Sequence, residues 1–172
     1  MKVSFCTVNF NSYNKLCNCL KVLPDATGDI PSETIIVDNG SKDRSILMLK
    51  DSYPDIQVIE NFRNVGYTKA INMAMKASNG DMIILLNPDT IPQIGSINKM
   101  IRYMLSKSKV GICGPKVLNV DGSFQKSCRR GIARPGAVFS YFLGLSRLYP
   151  KDVRYTGYHL DHIDENLITE VG

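Results

Sequence analysis

The chain has 172 residues, a formal net charge of +5, and 44% hydrophobic and 22% charged residues. This length suits one domain with a substantial core, and the composition excludes a disordered chain. No apolar run approaches the roughly 20 residues that span a bilayer, and the start MKVSF lacks a secretory signal, so we expect a cytoplasmic protein, at most peripheral to a membrane.

Strands and helices alternate in the first half of the sequence. Four segments rich in β-branched and other apolar residues predict strands, at 2–8, 33–38, 56–60 and 82–86. Apolar residues at helical spacing predict three intervening helices, at 13–23, 42–53 and 67–78. Pro24 is predicted to end the first helix and Ser41 to cap the second. This order predicts an α/β fold, an open and mostly parallel sheet with helices on both faces.

The alternation becomes less regular beyond Pro92. The segment SINKMIRYMLSKS predicts a helix with Ile97, Ile101 and Leu105 on one face. VGICGPKVLN and SFQKSC, joined by a turn at 119–122, predict a hairpin that makes a small antiparallel addition to the sheet. The five cysteines lack paired spacing, which argues against a disulfide framework or a zinc site.

A run of basic residues follows this hairpin. No acidic residue lies between Asp121 and Asp152, whereas six basic residues do: Lys126, Arg129, Arg130, Arg134, Arg147 and Lys151. Such a run fits a solvated face, an anion-binding surface or a membrane-facing patch. Because it has neither aromatic interleaving nor a known motif, nucleic acid is not the expected partner.

Two carboxylates follow strands of the predicted sheet. Asp38 ends the second strand, and Asp89 follows the fourth in Asn87-Pro88-Asp89-Thr90. Ligands of open parallel sheets bind beyond the carboxyl ends of the strands, so we expect both side chains to open into one cleft. One carboxylate can accept hydrogen bonds from a nucleoside, and the other can hold Mg²⁺ or Mn²⁺. The alternative is that each merely caps the next helix.

The segment NVGYTKAIN is a second candidate for ligand binding. Asn64 and Gly66 precede a helix whose free N–H groups favour an anion, and Lys69 in the first turn could reach a phosphate. The segment contains neither a Walker motif nor G-x-G-x-x-G, and a plain turn explains it equally well.

An ordinary Rossmann dehydrogenase is excluded because the first strand-to-helix turn, VNFNSYN, has no glycine to admit a pyrophosphate.

Five blocks of the sequence carry a resemblance to a known family. The blocks are VDNGSKDRS, NVGYTKAIN, NGDMIILLNPDT, VGICGPKVLNVDGSFQKSCRR and LGLSRLYP, and in order and spacing they resemble the family 2 glycosyltransferases. They are most similar to the rhamnosyltransferase-like branch, which builds bacterial surface polysaccharides. The resemblance implies a Rossmann-like GT-A fold that binds a nucleotide-diphosphate sugar. It also implies inverting transfer of the sugar, rhamnose being one candidate, to a glycan or lipid-linked acceptor.

The resemblance implies roles for individual residues as well. Four residues would contact the nucleoside: Thr7, Val8, Asn9 and Asp38. Asn87-Pro88-Asp89 stands where the family has its D-x-D motif, with Asp89 as the ligand of Mg²⁺ or Mn²⁺. Asn87 replaces the first acid of that motif, which leaves the metal site one fewer negative charge.

The chain ends at ITEVG, where family members usually continue into an acceptor-binding segment and an acidic catalytic-base motif. We therefore expect a nucleotide-sugar-binding domain at 1–130 and a partial acceptor-side segment at 131–172, shortened at its carboxyl end. Five acids are candidates for the base, none of them in a recognisable motif: Asp152, Asp161, Asp164, Glu165 and Glu170. His159 and His162 with Asp161 fit either metal ligands or a solvated tail.

The stretch GAVFSYFLGLSRLYP is apolar and edged by Arg134 and Arg147. It fits a segment lying in a membrane interface or a helix packed on another part of the protein. Exposed, such a stretch would predispose the chain to form oligomers. Two functions remain open at this point: a glycosyltransferase, or a non-catalytic nucleotide-sugar-binding module that needs a partner chain.

Overall fold

Four parallel strands form the centre of the fold. The computed structural model describes residues 1–43, 45–129, 131–132, 134–160 and 162–167. The sheet consists of β1 (Val3–Asn9), β2 (Ser32–Asp38), β3 (Gln57–Glu60) and β4 (Met82–Leu85). The strands lie in the order β3-β2-β1-β4, and every neighbouring pair is parallel. This confirms the predicted parallel sheet, and the strand order reverses between β1 and β4.

Helices cover both faces of the sheet, as predicted. The described α-helices of the whole chain are, in order, α1 (Tyr13–Thr27), α2 (Ser45–Ser52), α3 (Tyr67–Ala77), α4 (Ser96–Ser106), α5 (Pro135–Phe142), α6 (Leu145–Leu148) and α7 (Val153–Thr156), and the first four of them pack on the sheet. One core cluster joins α1, α2 and α4 to one side of the sheet, and a second cluster joins α3 to the other side. None of the described helices is long and apolar enough to cross a membrane.

The two core clusters follow from the alternation of side chains along β1. All seven residues of β1 are buried. Phe5 packs in the cluster with α1, and Cys6 packs in the cluster with α3, because successive side chains of a strand point to opposite faces. Burial of each large apolar side chain contributes about 1.5–3 kcal/mol. Of the three residues predicted on one face of α4, Ile97 and Ile101 are buried, whereas Leu105 is 61% exposed.

The helix α1 continues through Pro24 and ends at Thr27, so the prediction that Pro24 ends this helix was wrong. A proline in a helix interior removes one N–H donor and costs about 3 kcal/mol. Burial of Leu23 and Ala26 in the core offsets this cost. The Thr27 hydroxyl also donates a hydrogen bond to the Leu23 carbonyl (2.8 Å). Tertiary packing therefore carries α1 beyond its proline.

The chain divides into two compact units, Met1–Ser106 and Lys107–Gly172. The first unit contains the sheet and α1 to α4, and the second contains α5 to α7. The predicted boundary after residue 130 separates a nucleotide-sugar-binding domain from an acceptor-side segment. These are functional assignments, and they stay predictions.

The predicted antiparallel addition to the sheet is not seen among the described residues. The segment instead forms one isolated antiparallel bridge between Leu118 and Phe124. Its turn is closed by a hydrogen bond from the Gly122 N–H to the Asn119 carbonyl (3.0 Å). Proline has no N–H to donate to a ladder, so Pro115 disfavours a longer strand here.

Glu33 ties together the amino edge of the sheet. Its carboxylate accepts hydrogen bonds from the Lys2 ammonium (2.5 Å), the Ser4 hydroxyl (2.5 Å) and the Asn79 backbone N–H (2.6 Å). These donors, Lys2 first, lower the pKa of Glu33 to about 2. A carboxyl whose pKa is depressed in the folded state adds stability above its unfolded pKa of about 4.3, and this stability is lost as the pH falls towards 2.

We expect Glu33→Gln to lower the free energy of unfolding at pH 7 by about 1–2 kcal/mol, after allowance for solvent screening. Between pH 5 and about pH 2 the difference from wild type should shrink, because the wild-type carboxyl then becomes protonated. Urea denaturation followed by circular dichroism at several pH values measures this. The control is Glu60→Gln, which removes an exposed ion pair with Lys50 and should cost less than about 0.5 kcal/mol. An unchanged Glu33→Gln penalty at pH 2.5 would contradict the assignment.

Candidate functional site

The Asp38 carboxylate joins the loops that follow β1 and β2. It is fully buried and accepts hydrogen bonds from the Asn9 amide (2.7 Å), the Ser41 backbone N–H (2.8 Å) and the Ser41 hydroxyl (2.6 Å). The Ser41 hydroxyl oxygen also accepts from the Asn11 backbone N–H (2.9 Å). Because buried polar groups are costly unless they are hydrogen-bonded, this network fixes both loops at the carboxyl edge of the sheet. Ser41 therefore stabilises the loop after β2 and does not cap α2, which begins at Ser45, so the prediction of a cap was wrong.

Asn39 links the same edge to the segment that leads into α3. Its side-chain oxygen accepts from the Asn61 amide (3.2 Å), and its own amide donates to the Asn64 side-chain oxygen (2.9 Å). Gly40 has a φ of +84°, and a Cβ there would lie 2.8 Å from the Arg63 backbone. Only glycine allows this close approach, so the two loops are held against each other.

The first turn of α3 begins beside this network with exposed groups. Gly66 is the N-cap, has a φ of +85° and offers no side chain, while its N–H donates to Asn64 (2.9 Å). The first intrahelical bond runs from the Ala70 N–H to the Gly66 carbonyl (3.2 Å). The N–H groups of residues 67–69 therefore have no acceptor within the helix. Lys69 is exposed in the same turn, so this end of α3 can receive an anion.

The other predicted nucleoside residues lie on β1 and are buried. Thr7 is 2% exposed, Val8 is 9% exposed and Asn9 is fully buried. Asn9 accepts a hydrogen bond from the Ser12 hydroxyl (2.9 Å) in addition to donating to Asp38. These side chains hold the end of β1 in place beneath the loop that follows it.

The segment after β4 is exposed at Asn87 and Asp89. A turn forms there, closed by a hydrogen bond from the Thr90 N–H to the Asn87 carbonyl (3.1 Å). Burial, and secondarily the charge of Asp89, raise the pKa of the Cys19 thiol to about 11. Asp89 therefore lies within electrostatic range of α1. Its carboxylate makes no hydrogen bond or ion pair with another described residue, so its charge is available to a ligand.

The two aspartates thus occupy different environments. Asp38 is closed off from solvent because Asn9 and Ser41 surround it, whereas Asp89 is exposed. The expectation that both carboxylates open into one cleft was therefore wrong. The helix-cap alternative fails too, since α2 begins at Ser45 and α4 at Ser96, several residues after each aspartate. The binding roles of the two residues stay predictions.

The groups around Asp89 fit a divalent cation that is held jointly with a ligand. Mg²⁺ and Mn²⁺ prefer oxygen ligands, and Mg²⁺ is often held by one or two carboxylates together with substrate phosphates and water. Asp89 supplies one exposed carboxylate, and Asn87 adds an amide oxygen nearby in the chain. Among the described residues no group of three or more His, Cys, Asp or Glu side chains could hold a metal ion. A cation at Asp89 would therefore take further oxygens from the ligand.

The described candidates for a catalytic base are engaged locally. Asp152 accepts the Arg154 N–H at the start of α7 (2.9 Å), and Asp164 accepts a backbone N–H at 2.8 Å. Glu165 pairs with Lys116 at 3.3 Å. Asp161 and Glu170, like Arg130 of the basic run, lie outside the described residues.

The two histidines are held by neighbours in the second unit. His162 Nδ1 lies 2.8 Å from the Thr156 hydroxyl. The His159 ring packs edge-on against Tyr141 and Tyr158, each with a centroid distance of 4.8 Å. These contacts favour a structural role over metal binding.

Sequence reasoning missed the asparagines that connect the loops. Asn11, Asn39 and Asn61 each follow a strand within two residues, and that position was the available signal. Their partners lie on other loops, between 22 and 31 residues away in the chain. No pattern of residue spacing identifies such pairs.

The sequence matches one family over most of its length. The profile of glycosyl transferase family 2 covers residues 4–160. The chain is 34% identical over 104 residues to the uncharacterized glycosyltransferase YwdF of Bacillus subtilis, covering 59% of this chain and 38% of YwdF. It is 29% identical over 111 residues to the N-acetylglucosaminyl-diphospho-decaprenol L-rhamnosyltransferase of Mycobacterium tuberculosis, covering 58% and 36%. The chain thus spans less than two fifths of the length of these two relatives.

Solved structures are similar in fold. The crystal structure of TarS residues 1–349 from S. aureus has a TM-score of 0.54 and 19% identity, and covers 71% of this chain and 43% of that one. The same TarS fragment is also known in complex with UDP. The mannosyltransferase PcManGT from Pyrobaculum calidifontis, in complex with GDP-Man and Mn²⁺, has a TM-score of 0.53 and 16% identity, and covers 68% and 35%. These likenesses confirm the expected GT-A fold.

Proposed function

Because the chain belongs to glycosyl transferase family 2, we propose that it binds a nucleotide-diphosphate sugar and takes part in transferring the sugar to a glycan or lipid-linked acceptor. The observation that carries this proposal is the linkage of the loops after β1, β2 and β3 to the first turn of α3, at the edge where open parallel sheets bind ligands. The named relatives guide the choice of substrate. A decaprenol-linked L-rhamnosyltransferase is among them, so rhamnose is the first sugar to test.

Each end of the donor has residues suited to it. The loops held by Asp38 and Asn9 would frame the nucleoside, with Thr7 and Val8 supporting them from β1. Asn64, Gly66 and Lys69 would receive the diphosphate, because exposed N–H groups and an ammonium at a helix start favour negative charge. Asn87 and Asp89 would hold Mg²⁺ or Mn²⁺ beside it. Both kinds of ligand occur in the similar structures, UDP with TarS and GDP-Man with Mn²⁺ in PcManGT.

The reaction we propose is an inverting displacement. The acceptor hydroxyl attacks the anomeric carbon and gives up its proton to a general base, the bond from that carbon to the diphosphate breaks, and the nucleoside diphosphate leaves. Asn87 and Asp89 would hold the cation, which when bound would stabilise the charge on the leaving diphosphate. Lys69 and the N–H groups of residues 67–69 would add positive charge at the same place. We assign no catalytic base.

Calorimetric titration with UDP, dTDP and GDP, with and without Mn²⁺, tests the proposal. We expect at least one of the three to bind, more tightly with Mn²⁺. Lys69→Ala should weaken nucleoside-diphosphate binding by about three- to tenfold and leave binding of the bare nucleoside unchanged. Lys76→Ala is the matched control, since Lys76 lies in the last turn of the same helix. A folded sample that binds none of the three nucleotides would contradict the proposal.

A non-catalytic nucleotide-sugar-binding module is the second candidate function. The observation that favours it is that Asp152, Asp164 and Glu165 are each bound to a neighbour in the second unit, so none of them is left without a partner to serve as a base. Such a module would bind the donor and transfer nothing without a partner chain. Sugar transfer or donor hydrolysis by the isolated chain, lost in Asp89→Asn, would eliminate this candidate.

A further inference from the structure

The second unit, Lys107–Gly172, has an unusual distribution of apolar side chains. Among the described residues of this unit, the buried ones are small and polar: Ser140, Ser146 and Thr156. The large apolar residues in the same part of the chain are all at least partly exposed, and none of them belongs to the buried core. Folding normally does the reverse, because burial of large apolar side chains is what stabilises a compact chain. The described part of this unit therefore has no buried core of large apolar side chains of its own.

Five of these exposed side chains lie close together in the chain, and we term them the apolar face: Phe139, Phe142, Leu143, Leu148 and Tyr149. The first three have the i, i+3, i+4 spacing that places residues on one side of a helix, and they are 67%, 79% and 58% exposed. Leu148 and Tyr149, at the end of α6, are 70% and 53% exposed.

The opposite side of α5 is occupied by small groups. The Ser140 hydroxyl donates to the Gly136 carbonyl (2.8 Å) and is buried. A Cβ built on Gly157, just after α7, would lie 3.6 Å from the Ala137 methyl group, so α7 comes close to α5. Ser140 and Ala137 thus face the interior of the unit, where the Tyr141 ring also packs against Tyr158 and His159, whereas Phe139 and Phe142 are largely exposed.

Basic residues accompany the apolar face. Arg134 precedes α5, Arg147 lies in α6 and Lys151 follows it, and all three are exposed. The first acidic residue after them, Asp152, is already paired with Arg154 at 2.7 Å. The charged residues that flank the apolar face in the chain are therefore mainly basic, which suits an anionic surface.

We propose that the apolar face is a docking surface for a membrane that contains anionic lipids. Aromatic side chains beside aliphatic ones suit the boundary between headgroups and acyl chains, and neighbouring arginines and lysines suit anionic headgroups. A protein partner explains the apolar side chains but does not require this positive charge. The proposal does not depend on the nucleotide-binding proposal, since the residues and the measurement are different.

A single introduced tryptophan tests this contact directly, because the sequence contains none. We expect the fluorescence of Phe142→Trp in the full chain to shift to shorter wavelength with vesicles of 70% phosphatidylcholine and 30% phosphatidylglycerol. Brominated acyl chains should then quench it. Leu47→Trp, at a 71% exposed position on α2 in the other unit, is the matched control and should show neither effect. Emission from Phe142→Trp that is unchanged by these vesicles would overturn the proposal.

Sedimentation with the same vesicles separates the apolar and ionic contributions. Phe139→Ser with Phe142→Ser should reduce vesicle binding at least about tenfold. Arg147→Glu with Lys151→Glu should do the same, and added salt should weaken wild-type binding. Lys107→Glu with Lys109→Glu makes the same change of charge at two exposed residues that precede Phe139 by 30 residues or more in the chain, and should bind within about threefold of wild type. Equal binding to vesicles of pure phosphatidylcholine would overturn the proposal. So would self-association of the chain that is abolished by Phe142→Ser and is not accompanied by vesicle binding, and this result would identify a second copy as the occupant.

Discussion

Replacing Asp89 with asparagine should remove the Mn²⁺-dependent part of nucleotide binding. Asp89 is exposed after β4 and has no hydrogen-bonding or ion-pair partner among the described residues, so its charge is available to a cation. Without this ligand, we expect the affinity for a nucleoside diphosphate in Mn²⁺ to fall by about 10- to 100-fold. The affinity measured without metal should change by less than about twofold. Calorimetric titrations with and without Mn²⁺ give both values.

Asp81→Asn is the matched control for this change. Asp81 precedes β4 at the opposite edge of the sheet, where it accepts the Lys2 N–H at 2.8 Å, so nucleotide binding should be unaffected. Asn87→Asp offers a reciprocal change, because it adds a second carboxylate to the Asn87-Pro88-Asp89 segment and should tighten Mn²⁺-dependent binding. If the effect of Mn²⁺ survives in Asp89→Asn, the cation does not bind at Asp89.

Asp38→Ala should lower the free energy of unfolding by about 3 kcal/mol. The substitution removes the carboxylate that accepts hydrogen bonds from the Asn9 amide, the Ser41 backbone N–H and the Ser41 hydroxyl. These donors then lose that acceptor while they stay buried or partly buried. Loss of several hydrogen bonds to one buried carboxylate is among the most destabilising single changes in a folded chain. Urea denaturation of the full chain, followed by circular dichroism, measures the loss.

Two further variants separate the structural role of Asp38 from a binding role. Asp51→Ala, at an exposed position on α2, should stay within about 0.5 kcal/mol of wild type. Asp38→Asn keeps the shape of the side chain but turns one acceptor into a donor, and should lie between wild type and Asp38→Ala. Wild-type stability in Asp38→Ala would show that this network does not hold the loops. Full stability with lost nucleotide binding in Asp38→Asn would instead support direct contact with the nucleoside.

The strands and helices of the first unit were predictable because their signals are local. The segment that forms β1 is rich in β-branched and other apolar residues, which indicates a strand, and alternation with helices is typical of a parallel sheet. Pro24 shows where local signals fail. Its cost within α1 is offset by the buried contacts of Leu23 and Ala26, which depend on the assembled core.

The candidate site was predictable in position but not in exposure. Placement of Asp38 and Asp89 after strands follows from the order of the elements, and the structure has both there. Burial of Asp38 depends on Asn9 and Ser41, which reach it from a different strand and from the next loop. Such contacts arise only when β1 and β2 lie side by side, so the sequence does not distinguish the buried carboxylate from the exposed one.

The bonds of Asn39 and Asp38 also determine how the protein would receive a nucleotide. Since they order the loops during folding, the associated loss of conformational entropy is not incurred again on binding. The edge is preorganised, and its shape is set before a nucleotide arrives. Stiff loops cannot adapt to a poorly fitting base, so we expect such bases to be rejected rather than accommodated.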